Sequence, residues 1–210
     1  MNLIHREKSF LSAAECLYYA DLIKHKKDDW FSTSYMTTLG GAIYAYSPEE
    51  YAEAKKGMDD PLFNPLLNKL RDFYNTEEGS KPRYDSRFSR CGFHILDDRY
   101  KECTGKIHID IPYTHHPYLH KIIKDGGSAF SFTLPIELPE NSLHGINYWG
   151  RGSAKKGAIG VVYNVGEIIT HDGLSLHQIA THAIKPNEHR ITLQGHAVKK
   201  ADKSETILFF

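Results

Sequence analysis

The second half of this chain is a succession of short segments that read as strands. From about residue 84, "YDSRFSRCGFHIL", "GKIHIDIPY", "SAFSFTLPIEL", "GINYWGRG", "GAIGVVYNVGEIITHD", "LSLHQIATHAI" and "HRITLQGHAVK" follow one another. Each is rich in aromatic or β-branched residues, and Gly, Pro, Asn and Asp punctuate them. Many short strands without intervening helices close into a sandwich, a barrel or a jelly roll.

The first third reads differently. In "FLSAAECLYYADLIKH", Ser12 stands three residues before Glu15, a capping-box signature, and an apolar stripe follows. "SPEEYAEAKK" repeats the signal with Ser47, Pro48 and Glu50, and "NPLLNKLRDFY" starts a third helix at Asn64 and Pro65. Between the first two helices, "WFSTSYMTTLGGAIYAY" has strand composition. The expectation is an α+β chain, mainly β, in which N-terminal helices cover one sheet of a largely antiparallel core.

Its 210 residues suffice for one domain with a substantial core, and no repeat or linker divides it. Residues 1–83 are expected as helical support and residues 84–200 as the β-core. Lys+Arg and Asp+Glu are equal at 26 each, which argues against nucleic acid or an anionic membrane as partner. There is no membrane-spanning run. The three cysteines, Cys16, Cys91 and Cys103, are odd in number, lack close metal-ligand spacing, and follow no signal peptide. A reduced cytoplasmic setting is expected.

Chemistry enters at "GKIHIDIPY". His108 and Asp110 are two apart, so a strand would present both on one face. After 66 further residues comes His177, and Arg190 follows 12 intervening residues later, in "RIT". Two imidazoles and a carboxylate can occupy one face of an octahedral metal and leave three positions open, as in non-haem Fe(II) oxygenases. An arginine fork pairs bidentately with a carboxylate.

The order H-x-D, a long gap, H, then R-x-T resembles the Fe(II)/2-oxoglutarate-dependent oxygenases, in particular their prolyl-hydroxylase-like branch. "SFLSAAECLYYADLI", "RCGFHILDDRYKECTGKIHID", "FSFTLPIEL" and "NVGEIITHDGLSLHQI" resemble that branch's opening helix, the approach to its H-x-D, its next long strand and the turn that delivers its distal histidine. The likeness runs over about residues 9–198. It implies a double-stranded β-helix, the cupin-like jelly roll. It implies Fe(II) held by His108, Asp110 and His177, with 2-oxoglutarate as co-substrate on Arg190 and Thr192. O₂ would be the oxidant and ascorbate a reductant in vitro. The implied reaction is hydroxylation of an unactivated C–H with release of succinate and CO₂. Radical halogenases of the superfamily carry a small residue where Asp110 stands, so hydroxylation is favoured over halogenation.

Blander readings compete. His108 and Asp110 alone could be a buried ion pair. His171 and His182 rival His177, although His171 falls in an apparent solvated turn, "THDG", and His182 is odd-spaced from His177. His115, His116 and His120 fall in a segment that either closes over substrate or is a solvated loop. The expected substrate is a small molecule, with a free amino acid, lysine or another basic one, as the leading candidate. Arg87, Arg90 and Arg151 are candidates for its carboxylate, Asp172, Glu137 and Glu167 for its amine, and Trp149 for a pocket wall. Side-chain hydroxylation of a peptide or protein is the alternative within the enzyme class. A catalytically silent cupin-like binding module is the alternative outside it.

Overall fold

The computed structural model describes residues 4–77, 80–100, 105–140, 144–151, 157–180 and 184–210. Strand β1 (Ile4–Glu7) is followed by helix α1 (Ala13–His25). Ser12 caps α1 through the full capping box: its hydroxyl accepts from the Glu15 N–H, and the Glu15 carboxylate accepts from the Ser12 N–H. Strands β2 (Phe31–Ser32) and β3 (Thr37–Leu39) precede α2 (Pro48–Lys55), which has the same box from Ser47 and Glu50.

Helix α3 (Asn64–Glu77) begins differently from expectation. Asp60 accepts from the Leu62 N–H and caps a short 3₁₀ turn, Pro61–Phe63, that runs straight into α3. Asn64 is therefore not a cap, and its side-chain oxygen accepts from Arg90 at 2.7 Å.

The β-region contains β4 (Pro82–Tyr84), β5 (Gly92–Leu96), β6 (Ser128–Glu137), β7 (Gly145–Gly150), β8 (Ile159–Val162), β9 (Ile168–Asp172), β10 (Leu176–Ala180), β11 (Arg190–Lys199) and β12 (Thr206–Phe209). A helix, α4 (Pro117–Lys124), interrupts it before β6. His116 caps α4 and Pro117 takes its first position, so "THHPYLH" is not a loop.

A large sheet runs β1-β9-β6-β11-β5-β3-β2, with β12 also on β11 and β4 beside β12. A small sheet runs β10-β7-β8. Every pairing is antiparallel except β12 with β4. "GKIHIDIPY" forms no extended strand. It touches β10 through one bridge, His108 to His177, and turns into a 3₁₀ segment at Pro112.

Alternation sorts the large sheet into two unlike faces. On β6, Phe130, Phe132, Leu134 and Ile136 pack with Tyr19 and Ile23 of α1 and Leu66, Leu70 and Tyr74 of α3. Ile191, Leu193 and Ala197 of β11 join that layer. Burying each such side chain contributes roughly 1.5–3 kcal/mol. Ser131 and Thr133 of β6, and Arg190, Thr192 and His196 of β11, alternate with them and are buried on the other face. The sheet is thus apolar towards the helices and polar towards the small sheet. Gly92 lets β5 and β3 approach: a Cβ there would come within 2.7 Å of the Leu39 carbonyl oxygen and closer still to the Phe210 ring. No helix among the described residues is long and apolar enough to cross a membrane.

Candidate metal centre

The bridge between His108 and His177 consists of two reciprocal backbone hydrogen bonds, each 2.9 Å. It sets the two imidazoles side by side, with ring centroids 4.3 Å apart. The Asp110 N–H donates to the Gly173 carbonyl at 2.7 Å, which fixes the next inward side chain. Local strand geometry alone therefore converges two histidines and an aspartate.

Their ring nitrogens are assigned by their partners. His108 Nδ1 lies 2.7 Å from the Lys106 carbonyl oxygen and His177 Nδ1 lies 2.9 Å from that of Ser175. A carbonyl only accepts, so both Nδ1 atoms carry the proton and both neutral rings present an Nε2 lone pair. These Nε2 atoms stand 3.5 and 3.4 Å from Asp110 Oδ1. Two ligands about 2.1 Å from one ion at right angles would stand about 3 Å apart, whereas a charged hydrogen bond would be near 2.8 Å. The donor atoms of the three residues all lie within 4.8 Å of one another. The spacing and lone-pair directions fit a shared divalent cation better than an ion pair. Burial alone would raise the Asp110 pKa, but without a cation the imidazoles can take a proton at Nε2 and donate to it, which holds it well below the ordinary value, so the carboxylate is ionised.

Arg190, at the start of β11, is fully buried, and among the described residues its guanidinium makes no well-aligned hydrogen bond, only an interaction with the Tyr163 side chain. The Tyr163 ring centroid lies 5.4 Å from its Cζ. Burial pushes its pKa down from the ordinary 12.5. A buried guanidinium without an ion-pair partner among the described residues costs several kcal/mol, and a carboxylate arriving from outside would supply one. Arg190 and the triad line one cavity of about 600 Å³, within the usual size of small-molecule sites.

Around them are groups the sequence did not single out. His196 Nδ1 lies 2.9 Å from Ser131 Oγ and 3.9 Å from Asp110 Oδ2. Tyr44 Oη is 3.1 Å from His94 Nε2. Burial, with Arg190 nearby, lowers the His94 pKa to about 3. Thr133 donates to the Gln194 side-chain oxygen at 3.1 Å. The signal for these residues was alternation: Arg190, Thr192, Gln194 and His196 share one face of β11, and His94 pairs with Thr192 across β5. His171 is no turn residue. It sits on β9, buried, with its ring 4.6 Å from that of His177, and burial lowers its pKa to about 4. His115 lines the cavity. His182 and Cys103 lie outside the described residues.

Thr192 is buried between Arg190 and Gln194, but it does not line the cavity, and its hydroxyl accepts from Gln194 at 3.3 Å. Arg87 and Arg90 sit in the turn before β5 rather than on a strand. Arg87 pairs bidentately with Asp85 at 2.8 and 2.6 Å and lies over the Tyr118 ring. Arg151 pairs with Asp172 at 2.5 and 3.1 Å. Trp149 is half-buried on β7. Glu137 pairs with Lys24 and Glu167 with Arg6. None of these seven lines the cavity.

No protein-family profile and no curated protein sequence matches the chain. Solved structures do. An oxidoreductase of the 2OG-Fe(II) oxygenase family from Burkholderia pseudomallei superposes with a TM-score of 0.58 at 12% identity, over 96% of this chain and 88% of that one. HygX from Streptomyces hygroscopicus, solved with nickel and 2-oxoglutarate bound, gives 0.56 at 9% identity over 92% and 82%. A viral collagen prolyl hydroxylase from Paramecium Bursaria Chlorella virus-1, solved in a 2OG complex, gives 0.52 at 13% identity over 95% and 97%. The chain has the jelly-roll fold of the 2-oxoglutarate- and iron(II)-dependent oxygenases.

Proposed function

We propose that the protein is an Fe(II)/2-oxoglutarate-dependent dioxygenase that hydroxylates an unactivated C–H of a small molecule. One observation carries this reading: two imidazoles and a carboxylate whose donor atoms converge share a cavity with a buried guanidinium that has no carboxylate partner among the described residues. His108, Asp110 and His177 would hold the iron. When bound, Fe(II) with O₂ and 2-oxoglutarate supplies the oxidation, and the co-substrate leaves as succinate and CO₂.

The chain's own part is binding and positioning. The backbone carbonyls of Lys106 and Ser175 keep the Nδ1 protons away from the ligand atoms. Arg190 would form a bidentate pair with the distal carboxylate of 2-oxoglutarate, which fixes the other end of the diacid. Apolar neighbours such as Ile146 and Ile179 exclude water from the space between. The Asp110 carboxylate supports hydroxylation over halogenation.

A free amino acid as substrate needs one group for its carboxylate and one for its amine. Among the described lining residues Lys106 can meet the carboxylate, but the one acidic side chain is Asp110, a metal ligand in this reading. A basic amino acid is therefore less well supported than an uncharged small molecule. Hydroxylation of a peptide side chain is the second reading, supported by the exposed apolar mouth of the cavity, where Ile111 is 43% exposed.

The test is succinate release by protein supplied with Fe(II), ascorbate, 2-oxoglutarate and O₂. Turnover that vanishes in His108→Ala and Asp110→Ala supports the reading. An iron-loaded protein that makes no succinate under any condition would leave the silent binding module in its place.

A further inference from the structure

The cavity is chemically one-sided. Its walls include Tyr35, Met36, Leu96, Ile111, Ile146 and Ile179. Among the described lining residues, the lysine, arginine and carboxylate side chains are Lys106, Arg190 and Asp110. On the oxygenase reading, Asp110 is committed to the metal and Arg190 to the co-substrate. Lys106 lies at the solvated mouth, where its charge is screened. Among the described lining residues no carboxylate then remains to receive an ammonium group, and no deep lysine or arginine remains for a second acid.

Several of the polar groups left are neutral. Tyr44 and His94 are bonded to each other, and the low His94 pKa keeps that imidazole uncharged near neutral pH. Gln194 and Thr133 are amide and hydroxyl. The mouth is apolar as well: Tyr35, Ile109 and Ile111 line the cavity yet stay 48%, 37% and 43% exposed. A cluster of exposed apolar side chains around a cavity marks where an apolar ligand enters. Beyond Lys106, a charged ligand passing that mouth would lose hydration against apolar walls.

We infer that the substrate is a neutral, largely apolar small molecule, gripped by these aliphatic and aromatic walls and oriented by few hydrogen bonds. The inference rests on the oxygenase reading, which assigns Asp110 and Arg190 to metal and co-substrate.

The experiment uses the whole protein loaded with Zn(II) and 2-oxoglutarate, with the 2-oxoglutarate isotherm recorded first. Matched pairs are then titrated: the N-acetyl amides of leucine, phenylalanine and tryptophan against the free amino acids, with lysine and glutamate added. The neutral member of each pair should bind at least about tenfold tighter. Tyr35→Glu, which places a charge at the exposed mouth, should weaken the neutral ligands about tenfold and leave the 2-oxoglutarate isotherm in place. Free amino acids, lysine or glutamate binding as tightly as the neutral compounds would overturn the inference, and so would neutral ligands that fail to bind or that ignore Tyr35→Glu. If 2-oxoglutarate itself does not bind, the oxygenase reading falls first. If it binds and the charged ligands win, the inference alone falls.

Discussion

His196 Nδ1 stands 3.9 Å from Asp110 Oδ2 and 2.9 Å from Ser131 Oγ, so a buried imidazole on β11 faces the side of the aspartate that His108 and His177 leave free. With Oδ1 turned to His108 and His177, contact at Oδ2 restricts rotation of the carboxylate. Groups of this kind orient metal ligands and typically change metal affinity tenfold to a hundredfold when removed. His196→Phe keeps the ring volume and removes the nitrogens. Mn(II) affinity, followed by titration calorimetry, should fall by about tenfold or more. Unchanged affinity would reduce His196 to a packing residue.

Arg190 sets function against stability. Its guanidinium is buried, with Tyr163 beside it and no carboxylate partner among the described residues. Arg190→Met fills much of the same volume without the charge, so the ligand-free variant should be more stable by about 1–4 kcal/mol. Urea unfolding checks this, and a loss of stability would mean that the charge is compensated in the protein.

The His94 imidazole gives a pH dependence with a definite sign. Its pKa falls from 6.5 to about 3 on folding, chiefly through burial. Between those values the unfolded chain binds the proton and the folded chain does not. The stability due to neutral His94 is fully present above pH 6.5 and is lost as pH falls towards 3, at up to about 1.4 kcal/mol per unit. His94→Gln should flatten that acid slope by as much as one proton, read from denaturant midpoints between pH 7 and 4. An identical slope in both proteins would show that His94 charges in the fold.

Gly92 tests the packing of β5. A methyl group there meets the Leu39 carbonyl and the Phe210 ring. Gly92→Ala should cost about 1–3 kcal/mol, seen as a lower Tm, with metal binding kept wherever the variant folds. An unchanged Tm would mean that β3 and the C-terminus give way freely.

The parts of this structure that were legible in the sequence are those where alternation and caps act locally. The boxes at Ser12 and Ser47 start α1 and α2, and the inward residues of β10 and β11 carry His177 and Arg190. Legibility failed where tertiary contact decides. "GKIHIDIPY" has strand composition, but it forms one bridge, at His108, and one further backbone bond, from Asp110 to Gly173, and Ile107, Ile109 and Ile111 stay partly in solvent. Asn64 and Asp60 both stand ahead of α3 with Pro following, and packing selects Asp60. The cap and proline that open α4, at His116 and Pro117, were present and were masked by a histidine-rich segment. Arg87, Arg151 and Asp172 looked like substrate groups because burial and pairing cannot be read from a single sequence. The structure pairs each with a neighbouring charge, and none of the three lines the cavity. The polar inner face that brings in His94, His171 and His196 needed the pairing of β5, β9 and β11 with their neighbours before it became visible.

The central claim is that the triad and Arg190 hold two ends of one diacid. Calorimetric titration of 2-oxoglutarate into Mn(II)-loaded protein tests it most directly, with glutarate, which lacks the keto oxygen, as the control. The account predicts saturable binding of 2-oxoglutarate, much weaker binding of glutarate, and loss of most affinity on removal of the metal or in Arg190→Lys, because a point charge cannot form the bidentate pair. Equal binding of both diacids, or affinity indifferent to the metal and to Arg190, would contradict it.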